Sequence, residues 1–374
     1  MLERLSIERF KSIRSAIVDF GRVNLFIGAN GSGKSNVLEA VGLTAAALGR
    51  GLGSADLARR GIRLTPSELM KSAHKYFELP KTLELDAEFG NGLRYRCNLT
   101  SGLNDSSLRF HSEACTYKGK PQFGRSPRGN KVHGISISGT LEKSRGMWDQ
   151  IQVAYPFNET IRETIGDFGR YSIYSPQTDF LRGRKSGLVD EPPVGLHGEG
   201  LPEAALGLIR QALASRHLVE PGKSIAEFSR RAVELFQLPG WTKRVRVGAL
   251  DRNLVSPDVD RSSENMVYFI DRYMRDDRNK LSAYDSSEGT LFLLFAAILL
   301  AHRDSPKYFA LDNVDSALNP KVTRLLVERI VELTLKSSAG GLEVGPRQIF
   351  LTSHNPTSLD AIDLFDNNQR AFVV

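Results

Sequence analysis

The chain opens in alternation. Leu5-Ser6-Ile7-Glu8-Arg9-Phe10 predicts a strand, Lys11-Ser12-Ile13-Arg14 a turn, and Ala16-Ile17-Val18-Asp19-Phe20 a second short strand. Val23-Asn24-Leu25-Phe26-Ile27 reads as a buried strand. The helix after it keeps Val37, Leu38, Ala40 and Val41 apolar and frays near Gly51-Leu52-Gly53. Alternation returns between Thr82 and Leu99, in Leu83, Leu85, Ala87 and Phe89 and then Leu93, Tyr95 and Cys97, with Asn91-Gly92 marking a hairpin between the runs. Residues 141–175 are mixed, and Tyr174-Ser175-Pro176-Gln177 closes a short strand. A Gly/Pro-rich stretch at 192–200 reads as a linker or loop. Glu203 to Leu218 and Ser224 to Leu238 then predict amphipathic helices, neither with a sustained heptad, so no long coiled-coil arm is expected.

The last third is richer in signal. The apolar run Leu291 to Ala301 predicts a buried helix and is shorter than the ~18 residues a membrane span needs. Tyr308-Phe309-Ala310-Leu311-Asp312 predicts a hydrophobic strand ending in an acid, and Leu325, Leu326, Ile330 and Leu333 mark the helix after it. Gln348-Ile349-Phe350-Leu351-Thr352-Ser353-His354 predicts another buried strand, this one ending in a histidine.

Composition adds bounds. The chain has 374 residues, 41% hydrophobic and 25% charged, as in soluble globular proteins, and is long enough for two domains or for one nucleotide-binding domain with a large insertion. Met1-Leu2-Glu3-Arg4-Leu5 enters the first strand without an apolar signal region. Cys97 and Cys115 provide neither a disulfide framework nor a zinc-ligand spacing, and a cytoplasmic location is expected. The net charge of +7 favours a polyanionic partner, although proteins that bind only nucleotide also carry basic surfaces of this size.

The sharpest chemistry lies in Gly28-Ala29-Asn30-Gly31-Ser32-Gly33-Lys34-Ser35-Asn36. Gly28, Gly33, Lys34 and Ser35 fit the pattern G-x-x-x-x-G-K-[ST] of a phosphate-binding loop. The backbone must curl closely around phosphate oxygens with its N–H groups pointing inward, which glycines at 28, 31 and 33 allow. Lys34 can then reach the β- and γ-phosphates and the Ser35 hydroxyl can ligate Mg²⁺. The competing reading, a chance glycine-rich turn, lacks the strand before and the helix after. Asp312 suits a second Mg²⁺ contact from the end of its strand. His354 occupies the same kind of strand end, where open α/β sheets place ligands, although a structural histidine is the ordinary reading there. Ser287-Glu288-Gly289 opens a helix and can offer N–H groups and a hydroxyl to an anion, or be a plain N-cap. Lys118, Lys120, Arg125, Arg128 and Lys131, interleaved with Tyr117 and Phe123, read either as a loop that tracks DNA or RNA or as a solvated loop. His197 and Glu199 lack a further ligand at metal spacing.

In order, Phe10-Lys11-Ser12-Ile13, the P-loop, Ser287-Glu288-Gly289, Leu311-Asp312-Asn313 with Ser316-Ala317-Leu318-Asn319-Pro320, and Thr352-Ser353-His354-Asn355-Pro356 resemble the ABC-type ATPases of the RecF, SMC and overcoming-lysogenisation-defect group. The order resembles in particular the compact AAA-type members found in bacterial antiphage systems. The resemblance covers roughly 1–100 and 265–370. It implies an α/β P-loop fold with a split nucleotide-binding domain: an N-terminal lobe at 1–110, an inserted, mixed and largely helical lid at 111–265, and a C-terminal lobe at 266–374. It implies ATP and Mg²⁺ as cofactors, with Gly28, Asn30, Gly31, Ser32, Gly33, Lys34, Ser35 and Asn36 around the nucleotide and Ser35, Asp312 and Gln177 at the metal. Ser287 and Gly289 stand where the signature loop grips the γ-phosphate of the opposite protomer. Asp315-Ser316-Ala317-Leu318 resembles the D-loop, and His354 the switch histidine.

The implied assembly is a homodimer or larger homo-oligomer, and the implied role is control of a separate effector, a nuclease, in an antiphage complex. A DNA repair or chromosome-maintenance ATPase acting directly on DNA is the alternative. Two departures matter. Asn313 stands where the family has a Glu that orients the attacking water, so slow hydrolysis is expected, or a base borrowed from Asp315 or His354. The metal-dependent nuclease domain that follows in the overcoming-lysogenisation-defect proteins has no counterpart before Val374, so the nuclease is expected on another chain.

Overall fold

The computed structural model describes residues 1–101, 107–185, 187, 189, 192–213, 225–255, 264–339 and 344–374. Leu2, Leu5, Ile7 and Phe10 are buried along β1 (Leu2–Phe10), which turns back into β2 (Ile13–Asp19). β3 (Val23–Ile27) leaves this sheet, and the helix Lys34–Leu48 follows it. β4 (Thr82–Phe89) and β5 (Leu93–Ser101) return to β1 and pair across the expected Asn91-Gly92 turn, in which Gly92 has φ +88°. The sheet continues through β6 (Leu108–Tyr117), β7 (Lys120–Ser126), β8 (Gly129–Val132) and β9 (Ile135–Ile137), giving eight strands in the order β2-β1-β4-β5-β6-β7-β8-β9.

Two expectations meet a difference here. The boundary at residue 110 falls inside β6, so the first part of the region expected as a helical insertion is strand and extends the N-terminal sheet. The basic stretch 118–131 is not a loop: it is the pair β7 and β8 with their turns. Strand periodicity turns Phe123 and Arg125 inward, where Arg125 pairs with buried Glu113 at 2.6 Å, while Lys118, Lys120, Arg128 and Lys131 stay exposed. Tyr95 donates to the other Glu113 oxygen at 2.7 Å. Burial nevertheless raises the Glu113 carboxyl above its ordinary value, with the Arg125 charge opposing that shift.

Beyond β10 (Ser172–Tyr174) come the helices Leu201–Leu213 and Ile225–Val233 and a short 3₁₀ turn, Glu234–Gln237. They fill the spans expected to be amphipathic helices, except that 214–224 lies outside the described residues. An antiparallel three-stranded sheet follows, of β11 (Thr242–Ala249), β12 (Asn265–Asp271) and β13 (Lys280–Ser282). The helix Glu288–Ala301 is buried from Gly289 onward, as an apolar sequence without a polar stripe requires. It leads to β14 (Tyr308–Leu311), the helix Pro320–Ala339, β15 (Gln348–Ser353) and β16 (Gln369–Val373).

The central sheet is parallel, in the order β10-β14-β15-β3-β16. Its side chains divide the core by alternation. Phe26, Ala310 and Phe350 pack with the helix Lys34–Leu48 and the eight-stranded sheet. Leu25, Phe309, Leu311, Ile349 and Leu351 pack on the other side with the helix Glu288–Ala301. Both faces are covered, as parallel sheets need. Gln348, fully buried at the start of β15, ties the two sheets together. Its Oε1 accepts the Leu2 N–H at 3.1 Å, and its Nε2 donates to the carbonyls of Leu2 at 2.8 Å and Gly21 at 2.7 Å.

Gln348→Leu removes these partners from the buried Leu2 N–H and carbonyl, at roughly 1–3 kcal/mol for each group left unpaired, while Gly21 O keeps its bond from Asn24. The expected result is a loss of about 2–4 kcal/mol in urea unfolding. A loss below 0.5 kcal/mol on the same ~1 kcal/mol-per-bond scale contradicts this role for Gln348. Arg125→Glu is expected to destabilise the fold by placing two carboxylates together, whereas Arg128→Glu and Lys131→Glu leave the unfolding midpoint nearly unchanged.

Candidate functional site

Register brings the site together. Ile27 lies beside Ser353, Leu351 beside Leu311, and Leu311 beside Tyr174, so the residues just after β3, β15, β14 and β10 emerge at one edge of the parallel sheet. Those residues are the P-loop, His354, Asp312 and the segment leading to Gln177. Ligands of open parallel sheets bind at this edge.

The P-loop runs from Gly28 to Gly33 between β3 and the helix Lys34–Leu48. Gly31 and Gly33 have φ of +81° and +111°, a region that side chains rarely adopt. Gly28 is constrained differently, because a Cβ there meets the backbone oxygen of Val374. Asn30, Gly31 and Ser32 are exposed at the loop's rim. Lys34 is 5% exposed and folds back over the loop, donating from Nζ to the carbonyls of Gly28 and Ala29, both at 2.8 Å. The His354 Nδ1 lies 3.3 Å from Nζ and 3.0 Å from the Gly28 oxygen, so it accepts from the lysine or donates to the loop according to its tautomer.

Ser35 is the first oxygen donor beyond the lysine. Its Oγ stands 3.4 Å from both Asp312 carboxylate oxygens. Oxygens ligating Mg²⁺ at 2.0–2.1 Å occupy octahedron corners about 2.9 Å apart, so this hydroxyl and carboxylate need little movement to share one ion. Asp312 is fixed by groups on both sides: its N–H donates to Tyr174 O at 2.9 Å, and its Oδ1 accepts from the Thr352 hydroxyl at 2.5 Å. Thr352 is fully buried and also accepts the Asn313 N–H at 2.8 Å. Sequence reasoning missed Thr352. Its signal was a hydroxyl directly after the apolar run Ile349-Phe350-Leu351, two places before the histidine.

Asn313 has φ +57°. Asn tolerates the left-handed region better than most residues, so the backbone at this position favours an amide side chain whatever the chemistry requires. Asp315 accepts the His354 N–H through Oδ2 at 3.1 Å, and its Oδ1 is buried without a hydrogen-bond partner among the described residues.

Other expected site residues are placed elsewhere. Asn36 turns away from the loop interior, donating to Ser12 Oγ at 2.7 Å and accepting from Arg63 at 2.7 Å. Gln177 follows β10 at the correct sheet edge, but its amide contacts His197 Nδ1 at 3.4 Å. The N–H of His197 donates to Glu199, and no cluster of three or more His, Cys, Asp or Glu suited to a metal exists among the described residues. Ser287 is exposed and caps the helix Glu288–Ala301, accepting Thr290 N–H at 3.2 Å. Gly289 is buried rather than open to a ligand, and a Cβ on it comes within 2.8 Å of the Ala317 oxygen. That glycine lets the Ala317 carbonyl pack directly on the helix Glu288–Ala301.

No curated protein matches the sequence. Among solved structures, the SMC head domain of Thermotoga maritima aligns over 97% of this chain and 92% of its own, at 15% identity and TM-score 0.42. The Smc head domain with an extended coiled coil from Pyrococcus furiosus, bound to the C-terminal domain of ScpA, aligns over 96% and 91%, at 14% identity and TM-score 0.45. The recombination mediator RecF aligns over 95% and 92%, at 13% identity and TM-score 0.34. No helix among the described residues is long and apolar enough to cross a membrane. The profile of one family matches residues 23–360, from the strand before the P-loop to beyond His354, and the chain therefore belongs to that family, described as "AAA domain, putative AbiEii toxin, Type IV TA system".

Proposed function

We propose that the protein is a slowly hydrolysing ATP switch: Mg²⁺-ATP bound at the P-loop draws two copies together, and the paired form controls a separate effector. The observation that carries this reading is the meeting of Ser35, at the start of the helix after the P-loop, and Asp312, just past β14 and 277 residues away in the chain, beside a buried lysine folded over the loop. Lys34 would leave the loop carbonyls for the β- and γ-phosphate oxygens, as a point charge that no neighbour replaces. Ser35 and Asp312 would hold Mg²⁺, which supplies charge neutralisation at the phosphates. The N–H groups of Gly31 to Ser35 would line the phosphates at the helix N-terminus. Ser287, exposed at its own helix N-terminus, would meet the terminal phosphate presented by the second copy.

Hydrolysis needs a group to orient and deprotonate water. Asn313 cannot accept that proton. Asp315 keeps one carboxylate oxygen unbonded beside His354 and is the nearest substitute by chemistry. The paired, ATP-loaded state would therefore be long-lived, which suits a switch better than a motor.

The setting follows the resemblance. The effector is a nuclease on another chain, and the complex is an antiphage system in the cytoplasm; the family description's mention of a toxin favours this over DNA repair or chromosome maintenance. Direct DNA or RNA contact, if the protein makes it, would use the exposed Lys118, Lys120, Arg128 and Lys131 and exclude Arg125, which is engaged with Glu113.

Calorimetry is expected to show Mg²⁺-ATP binding to the wild type and its loss in Lys34→Ala; equal affinities rule out the assignment. Wild-type turnover is expected well below the usual scale of about 1–1000 per second. Asn313→Glu is expected to hydrolyse faster but to be less stable by roughly 1 kcal/mol, because glutamate must adopt the left-handed backbone. Brisk wild-type hydrolysis that is lost in Asp315→Ala and not raised in Asn313→Glu would show that the base has moved to Asp315 and that the long-lived state does not exist.

A further inference from the structure

Ser287 does not stand alone. The Thr290 Oγ1, fully buried one turn further along, lies 3.1 Å from Ser287 Oγ, and the indole N–H of Trp241 donates to that same Thr290 oxygen at 3.2 Å. Trp241 precedes β11. It is fixed by the Arg272 N–H on its carbonyl at 3.0 Å and by its ring against buried Phe269, 6.0 Å between centroids.

The donor inventory of these three groups sets a direction. An indole N–H only donates, whereas a hydroxyl has one proton to give and two lone pairs to accept with. Trp241 occupies a lone pair of Thr290. The buried Thr290 proton then needs an acceptor, and Ser287 Oγ is the one within reach, since the reverse arrangement strands that proton in the interior. Ser287 thus accepts twice from Thr290, from its N–H at 3.2 Å and from its hydroxyl. Its own proton is left to point out of the chain, from an exposed residue.

We propose that Trp241 is a positioning residue that, through Thr290, commits the Ser287 hydroxyl to donating outward, and so selects for an anionic oxygen presented by a second copy. The proposal rests on the reading of Ser287 given above, and it names what tunes that residue. Without the indole N–H, the Thr290 hydroxyl is free to turn to a carbonyl of the preceding turn, and Ser287 loses the donor that keeps its own proton outward. The arrangement also connects the three-stranded sheet to the site, because β13 grips the same loop: Ser282 accepts the Ser286 hydroxyl at 2.7 Å through its carbonyl and donates its own hydroxyl to Asp285 at 3.0 Å.

The test measures Mg²⁺-ATP-dependent self-association by sedimentation velocity, with calorimetric ATP affinity alongside, in Ser287→Ala, Trp241→Phe, Thr290→Val and Thr290→Ser. Trp241→Phe and Thr290→Val are expected to weaken association about fivefold, the scale of one ordinary hydrogen bond, with ATP affinity unchanged. Thr290→Ser, which keeps the hydroxyl, is expected to associate like the wild type, an outcome that a purely structural role for the threonine methyl does not give. The two Thr290 variants carry the test if Trp241→Phe fails to fold. In the wild type the indole N–H resonance of Trp241, one of two tryptophans, is expected to shift on adding Mg²⁺-ATP, and not to shift in Ser287→Ala. If Ser287→Ala weakens association while Trp241→Phe and Thr290→Val do not, the inference is overturned and the reading of Ser287 stands. If Ser287→Ala has no effect, that reading fails and the inference fails with it.

Discussion

Everything at the nucleotide edge depends on how β3 is flanked. This strand has β15 on one side and β16 on the other, both drawn from the last stretch of chain, and pairs with no strand near it in sequence. The pairing is parallel, so its hydrogen bonds run between segments more than 300 residues apart, and buried amides stabilise the junction. Gln348 bonds the backbone of Leu2 and Gly21, and Asn24 donates to Gly21 O at 2.9 Å and to Ile349 O at 3.2 Å while accepting the Gly21 N–H. A leucine at either place would satisfy the hydrophobic core and strip the backbone of partners, although the Gly21 carbonyl, shared by both amides, would keep one of them.

Once the register is set, the chemistry is nearly determined. Parallel strands end together, so the loops after β3, β14 and β15 converge without a dedicated contact to bring them there. Thr352 then refines the site by fixing one Asp312 oxygen and the Asn313 N–H with one hydroxyl. The helix Glu288–Ala301 is coupled to this edge through packing, since Gly289 admits the Ala317 carbonyl where a side chain would not fit. Ala317 itself has φ +58°, and with Asn313 at +57° the segment after β14 carries two non-glycine residues in the left-handed region. Strain of that kind persists only where the surrounding structure overdetermines the backbone, and here β15 and the helix Glu288–Ala301 do so.

The P-loop, the acid-ended β14 and the histidine-ended β15 were legible in the sequence because each signal is local: a glycine pattern, or an apolar run with one polar terminus. The α/β P-loop fold followed from them. The sheet beyond residue 110 was harder to see. Gly, Pro and five basic residues in 118–131 resemble a loop, and only the burial of Phe123 and Arg125 two places apart discloses a strand whose inward arginine is paired with Glu113 on its neighbour. Asn36 carries the P-loop motif's usual position but serves the β1–β2 turn through Ser12. The contacts of Thr352 and Trp241 are long-range in sequence, and no window along the chain contains both partners.

The position of β3 between late strands also has a consequence in time. During synthesis, at about 5–20 residues per second, the P-loop emerges early and waits tens of seconds before β15 exists to pair with β3. Throughout that interval Val23, Leu25, Phe26 and Ile27, all buried in the finished protein, form an apolar strand with two open edges. The eight-stranded sheet, built almost entirely from antiparallel neighbours in residues 2–137, can assemble first and offer Phe26 a surface to rest on. Nucleotide binding is thus a late acquisition of the nascent chain. A ribosome-bound fragment can hold a complete glycine loop and still lack the carboxylate and histidine that give the loop its chemistry.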